Sequence, residues 1–123
     1  MKLDLLLRHA ADLGLEVEYA DLGPARFGEY HDADGLIRLN RKNTAAQMLS
    51  SLGHELGHAI AHENTVTARC SRADEYGAAL IISPAEYAAA EAEVGEHAGA
   101  LADYLGVTRR LILAWRRWYQ RTH

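Results

Sequence analysis

The chain has one cysteine, two prolines and one phenylalanine among its 123 residues. A single cysteine, Cys70, excludes an internal disulfide and suits a reducing compartment, so the expected location is the cytoplasm. No long uncharged apolar run is present, which excludes a membrane-spanning helix. The opening stretch MKLDLLLRHAADLG has the leucines of a signal peptide. Asp4, Arg8 and Asp12 interrupt it at helical spacing, and an amphipathic first helix is the better reading. No internal repeat is visible, and no low-complexity region beyond an alanine-rich stretch after Pro84.

What the chain does have is apolar content, 49% of its residues, enough for a core without covalent staples. Its length suits one compact domain. The net charge of −4 is unevenly spread. Residues 1–100 carry 8 Lys/Arg and 16 Asp/Glu, a balance of −8, whereas residues 101–123 carry five Arg and one Asp, a balance of +4. A basic tail on an acidic body suits an acidic or nucleic-acid partner, and equally a solvated last helix docked on that body.

Residues 3–13 read as a helix stopped by Gly14. Residues 15–19 alternate apolar and polar, as a half-buried strand does. Residues 27–31 and 36–40 are two further β-type runs separated by Asp32-Ala33-Asp34-Gly35, a hairpin turn signal. Thr44 with Gln47 forms a capping box for a helix over 45–62 whose apolar face carries Met48, Leu52, Leu56 and Ala59. After a polar linker, a second long helix is predicted over 69–82. Ser83-Pro84-Ala85-Glu86 closes it and caps the next. Gly95 and Gly99 weaken that helix without fixing a break. Gly106 ends it, and Thr108 caps a last helix over 109–120. The expected fold is α+β, with a small, mostly antiparallel sheet and a central helix packed on a second one. It divides into 1–43 (helix plus small sheet), 44–83 (two central helices) and 84–123 (C-terminal helices), all within one domain.

The strongest chemical signal is His54-Glu55-Leu56-Gly57-His58, an HExxH motif on a predicted helix. Residues four apart share a helix face, so both imidazoles can reach one metal ion. Glu55 lies about 100° around the axis, beside the ion rather than on it, where it can act as a general base toward water. Zinc is the expected metal, because it makes such a water nucleophilic at neutral pH. His62 extends the stripe, but it stands about 12 Å along the axis from His54 and cannot share the ion, so it is read as a surface residue. His9, His31, His97 and His123 are read as structural or solvated.

A catalytic zinc takes a third protein ligand. Cys70 and Asp74 lie four apart on one face of the second helix. Ala73 and Gly77 are small and allow that helix close to the first. One arrangement has Cys70 as the ligand and Asp74 bonded to the far nitrogen of a ligand histidine. Cys70 as a small buried thiol is the alternative, with Asp74 or Glu75 then next in line as ligand. Tyr76 is a candidate oxyanion donor, with a place in the core as the alternative.

HELGH followed by RADEYGAALIISPAEY resembles the ImmA/IrrE family of metallopeptidases, and the similarity extends from the hairpin near Gly28 to LADYLGVT. The resemblance implies a cytoplasmic zinc peptidase of phage or mobile-element type that cleaves a helix-turn-helix repressor. By the same resemblance His54 and His58 are the metal-binding histidines, Glu55 the catalytic glutamate and Asp74 the acidic or amide residue of the second helix. The family usually has a glutamate ligand four residues before that position, where this chain has Cys70. A thiolate is a good zinc ligand but donates more electron density than a carboxylate, making the metal a weaker Lewis acid.

Residues 100–108 followed by the arginine-rich segment 109–117 have the look of a helix-turn-helix with Gly106 at the turn. Trp115 and Trp118 read as packing residues rather than base contacts. A helical hairpin docked on the body accounts for this segment better than a DNA reader does, because the whole chain is acidic. Two functions are therefore carried forward. One is a zinc endopeptidase acting on a transcription regulator. The other is a non-catalytic protein- or DNA-binding module using the basic C-terminal segment, with the metal structural or absent.

Overall fold

The computed structural model describes residues 2–60 and 66–123, and for 66–70 the backbone alone. The elements follow in the order α1 (Lys2–Asp12), β1 (Glu16–Ala20), β2 (Gly28–His31), β3 (Leu36–Asn40), α2 (Ala45–Ile60), α3 (Val66–Ile81), α4 (Pro84–Val94), α5 (Ala98–Leu105) and α6 (Arg109–Thr122). The architecture is α+β: a three-stranded sheet with helices against it.

The sheet is small, as expected, but mixed rather than mostly antiparallel. β3 lies in the middle, antiparallel to β2 and parallel to β1. The hairpin between β2 and β3 closes through a short 3-10 turn, Asp32–Asp34, and Gly35 in the left-handed conformation (φ 60°). The parallel pairing arises because residues 21–27 carry the chain past the C-terminal end of β3. This leaves a gap between β1 and β2 that β3 fills. Asn40 at that end of β3 pins the crossing loop. Its side-chain amide donates to the Gly23 and Arg26 carbonyls, both at 2.8 Å. Alternation along β3 buries Ile37 and Leu39 and turns Arg38 outward, 2.7 Å from its cross-strand neighbour Glu18.

Both capping boxes are formed. The Gln47 amide donates to the Thr44 hydroxyl at 3.2 Å, and the Gln47 side chain accepts from the Thr44 amide at 2.9 Å. Ser83 and Glu86 exchange the same pair of bonds at the start of α4, with Pro84 following the cap. The break in the alanine-rich stretch falls at Gly95 (φ 82°), and the His97 side chain caps the α5 that follows.

α2 and α3 approach almost backbone to backbone. A Cβ on Gly57 would lie 2.5 Å from the Ala73 Cα, and one on Gly77 would lie 2.6 Å from the Gly53 carbonyl carbon. Leu49, Leu52 and Leu56 of α2 are buried against the sheet, α1 and the C-terminal helices in one continuous core. Trp115 joins that core. Its indole N–H donates to the Ile82 carbonyl at 2.8 Å, and its ring stacks on Tyr87 at 4.0 Å. α6 therefore packs on α3 and α5, as the hairpin reading expects, with its N-terminus at one end of the α2–α3 interface.

Candidate metal centre

His54 and His58 are one turn apart on α2 and share a face. Their Nε2 atoms are 2.9 Å apart, and the rings meet edge to face. The carboxylate of Glu55 completes a group whose candidate ligand atoms lie within 4.8 Å of one another. Two ring nitrogens converging on one point, with a carboxylate beside them, form a donor set suited to a transition metal such as zinc.

The close contact of α2 with α3 brings Asp74 to this point. Asp74 Oδ1 lies 2.5 Å from His54 Nδ1, and Asp74 Oδ2 accepts from two guanidinium nitrogens of Arg110 at 2.9 and 3.1 Å. Burial pushes the Asp74 carboxyl up, but the hydrogen bond from His54 and the charges of His54 and Arg110 outweigh it. The net result is a pKa below the ordinary value. An ionised carboxylate only accepts, so the proton between them belongs to His54 Nδ1. A carboxylate on Nδ1 favours the tautomer that turns Nε2 toward the point shared with His58, which is the form a metal would take.

Glu55 is 7% exposed. Burial raises its pKa, the neighbouring His54 opposes the rise, and the charge of Glu29 adds to it. Gly28 at the start of β2 makes room here, since a Cβ on it would sit 3.4 Å from Glu55 Cγ. A cavity of about 450 Å3 opens beside this group, lined by His54, Glu55 and Asp74 but not by His58. Arg26, Phe27 and Gly28 form one wall, and Thr108, Arg110 and Leu111 another. Thr108 fixes that second wall. Its hydroxyl caps α6 by accepting from the Leu111 amide and also lies 3.2 Å from the Ser50 hydroxyl of α2.

The family model of the M78 peptidases, described as the IrrE N-terminal-like domain, matches residues 10–114. The chain belongs to this family. No curated protein matches it. Membership makes it a metallopeptidase in kind, with a protein as substrate, and the His-Glu-His group is placed as such an enzyme needs.

Within this M78 peptidase, the structure brings His54, Glu55 and His58 together and sets Asp74 against His54. Glu75 is not part of the group. It is buried on another side of α3, where Arg121 holds its Oε1 at 2.7 and 2.9 Å. Tyr76 does not face the cavity either. Its hydroxyl lies 3.3 Å from His9 Nε2 of α1, because successive residues on α3 point about 100° apart. The backbone of Cys70 is in α3, one turn before Asp74, while its side chain and the whole of His62 lie outside the described residues. His31 lies 2.9 Å from Glu29, His97 caps α5 and His123 stacks on Tyr119. None of these histidines lines the cavity.

Two contributors escape a reading of the sequence. Arg110 belongs to a segment that reads as a helical hairpin, and its partner Asp74 is 36 residues away. Gly28 had a signal only as a glycine at the mouth of a strand. Among the described residues no helix is long and apolar enough to cross a membrane.

Proposed function

We propose that this M78 peptidase is a zinc-dependent endopeptidase in which His54 and His58 hold the metal and Glu55 is the general base. The observation that carries the reading is the 2.9 Å convergence of the two imidazole Nε2 atoms beside a buried carboxylate, with His54 and that carboxylate lining an open cavity. Cys70, one helical turn before Asp74 on α3, is the proposed third ligand.

The donor set fits zinc: two neutral imidazoles, one of them with its tautomer fixed by a carboxylate, and a thiolate. When bound, the metal supplies Lewis acidity and brings a water toward ionisation at neutral pH. Asp74 keeps the His54 ring oriented, with Nδ1 against the carboxylate and Nε2 turned to the metal. Glu55 takes the proton from the attacking water and delivers it to the leaving nitrogen of the peptide. β2 lies at the edge of the sheet, and its first residue lines the cavity, so an extended peptide can add to it as a further strand. The resemblance to ImmA/IrrE peptidases extends this reading to a cytoplasmic enzyme whose substrate is a helix-turn-helix regulator.

The test combines metal analysis with proteolysis. Purified protein should carry about one zinc per chain. Cys70→Ala should lower that content, and Cys70→Glu should restore it. Against a library of protein-derived peptides read by mass spectrometry, Glu55→Gln should keep the metal while cleavage falls by about a hundredfold or more. Cleavage unchanged in Glu55→Gln would defeat the mechanism.

A further inference from the structure

On the far side of Asp74 lies a second, open groove of about 490 Å3. Ser71 and Asp74 of α3 form one wall, and Arg109, Arg110, Leu113 and Arg117 of α6 form the other. Asp74 and Arg110 line the first cavity as well, so the groove and the metal centre adjoin across one ion pair.

The charge in this groove is unbalanced. Three guanidinium groups face one carboxylate, and both oxygens of that carboxylate are already engaged, Oδ1 by His54 and Oδ2 by Arg110. Arg109 and Arg117 have no acidic partner among the described residues. The remaining arginines of α6 are occupied. Arg116 donates to the Tyr87 hydroxyl and the Glu96 carbonyl, and Arg121 is held by Glu75. The uncompensated positive charge of α6 is therefore concentrated in this groove, on a chain whose net charge is −4. Arg109, Leu113 and Arg117 recur every four residues, so they share one face of α6. The N-terminal end of the helix dipole has the same sign.

We propose that this groove is a subsite for an acidic side chain, Asp or Glu, of the polypeptide whose scissile segment lies in the first cavity. The inference rests on the peptidase reading and adds a substrate preference to it. A guanidinium pair matches a carboxylate in charge and in hydrogen-bonding geometry. A peptide is favoured over nucleic acid because the groove adjoins the cavity holding His54 and Glu55, the two sharing Asp74 and Arg110. The positive surface is also short, and the surrounding body is acidic, whereas a duplex needs a row of phosphate contacts.

The experiment uses the full-length, metal-loaded Glu55→Gln protein. Its probes are short fluorescein-labelled peptides that carry either a Glu-Glu or a Gln-Gln pair at one end, read by anisotropy. The Glu-Glu peptide should bind about tenfold more tightly at low salt, the expected yield of two partly exposed ion pairs. The gap should close as salt rises. Replacing both exposed residues, Arg109→Gln with Arg117→Gln, should bring the Glu-Glu peptide down to the Gln-Gln affinity and leave the latter unchanged. Equal affinities for the two peptides, or a preference that survives the double substitution, would overturn the proposal. Displacement of the peptide by a short DNA duplex with a steep salt dependence would also overturn it, in favour of a nucleic-acid groove. The peptidase reading fails separately. An acidic preference in a protein whose wild type cleaves nothing in the library defeats that reading alone. Cleavage indifferent to acidic residues defeats this inference alone.

Discussion

Arg110 grips Asp74 with two guanidinium nitrogens, at 2.9 and 3.1 Å, while the other oxygen of Asp74 holds His54 at 2.5 Å. The first helical turn of α6 is thereby coupled to the orientation of a proposed metal ligand on α2. Partners of this kind fix the ring and raise its basicity, and losing one typically weakens metal binding 10- to 100-fold. Asp74→Ala should therefore lower zinc affinity by about that factor in a competition titration against a chromogenic chelator. Arg110→Ala leaves the His54–Asp74 contact in place but frees the carboxylate to turn, so its loss should be smaller, about threefold to tenfold. An Asp74→Ala protein that binds zinc as tightly as wild type would separate Asp74 from the metal centre.

The second prediction concerns how α3 reaches the site at all. A methyl group at position 57 would stand 2.5 Å from the Ala73 Cα, a contact with backbone that no rotamer change relieves. Gly57→Ala must push α3 away from α2, which should cost about 3 kcal/mol, at the upper end for overpacking. Urea denaturation should show this as a lower midpoint. Metal affinity should fall with it, because Asp74 moves with α3. Gly99→Ala is the comparison, since a Cβ there meets only the His97 ring.

What could be read from the sequence was local. The HExxH spacing, the capping boxes at Thr44 and Ser83 and the hairpin around Gly35 all depend on residues within four positions of one another, and the structure forms each of them. The closeness of α2 and α3 was legible from the small residues Ala73 and Gly77. Strand order was not, because alternation in β1 and β3 says which side chains face inward but not which strands are neighbours. Arg110 was hidden for a related reason. An arginine at the start of a surface helix reads as solvated, and only the docking of α6 on α3 brings it to Asp74. The helix break at Gly95 lay in an alanine-rich stretch whose propensity favours continuing.

Glu86 provides a pH test away from the metal centre. Its pKa is lowered, chiefly by the hydrogen bond from Lys2, with the Ser83 amide adding to it. A carboxylate whose folded pKa lies below its unfolded value contributes stability above that unfolded value. The contribution is lost as pH falls through the folded one. Glu86→Gln preserves the capping hydrogen bonds and removes the charge. At pH 7 it should lower stability by about 0.5 kcal/mol, a small figure because the Lys2–Glu86 pair is well exposed and screened by solvent. As pH falls through the lowered pKa of Glu86, the wild type and the variant should converge. A difference that persists or grows in acid would show that the charge is not what Glu86 contributes.

Trp115 anchors α6, and with it Arg110 and the arginine wall of the groove. The Trp115 indole reaches across to the Ile82 carbonyl at the end of α3, and Trp115 is 3% exposed. Trp115→Phe keeps an aromatic ring for Tyr87 to stack on but leaves that carbonyl without its donor. A buried unsatisfied acceptor costs about 1–3 kcal/mol. Trp118 lies edge-on to Trp115 at 5.7 Å and only half buried, so Trp118→Phe should cost less than 1 kcal/mol, within the range of substitutions away from the core. If the hydrogen bond fixes α6 in place, Trp115→Phe will also loosen the Arg110–Asp74 pair and reduce zinc affinity, whereas Trp118→Phe will not. Equal effects of the two substitutions on stability and on metal binding would mean that ring packing, and not the indole N–H, holds the helix against α3.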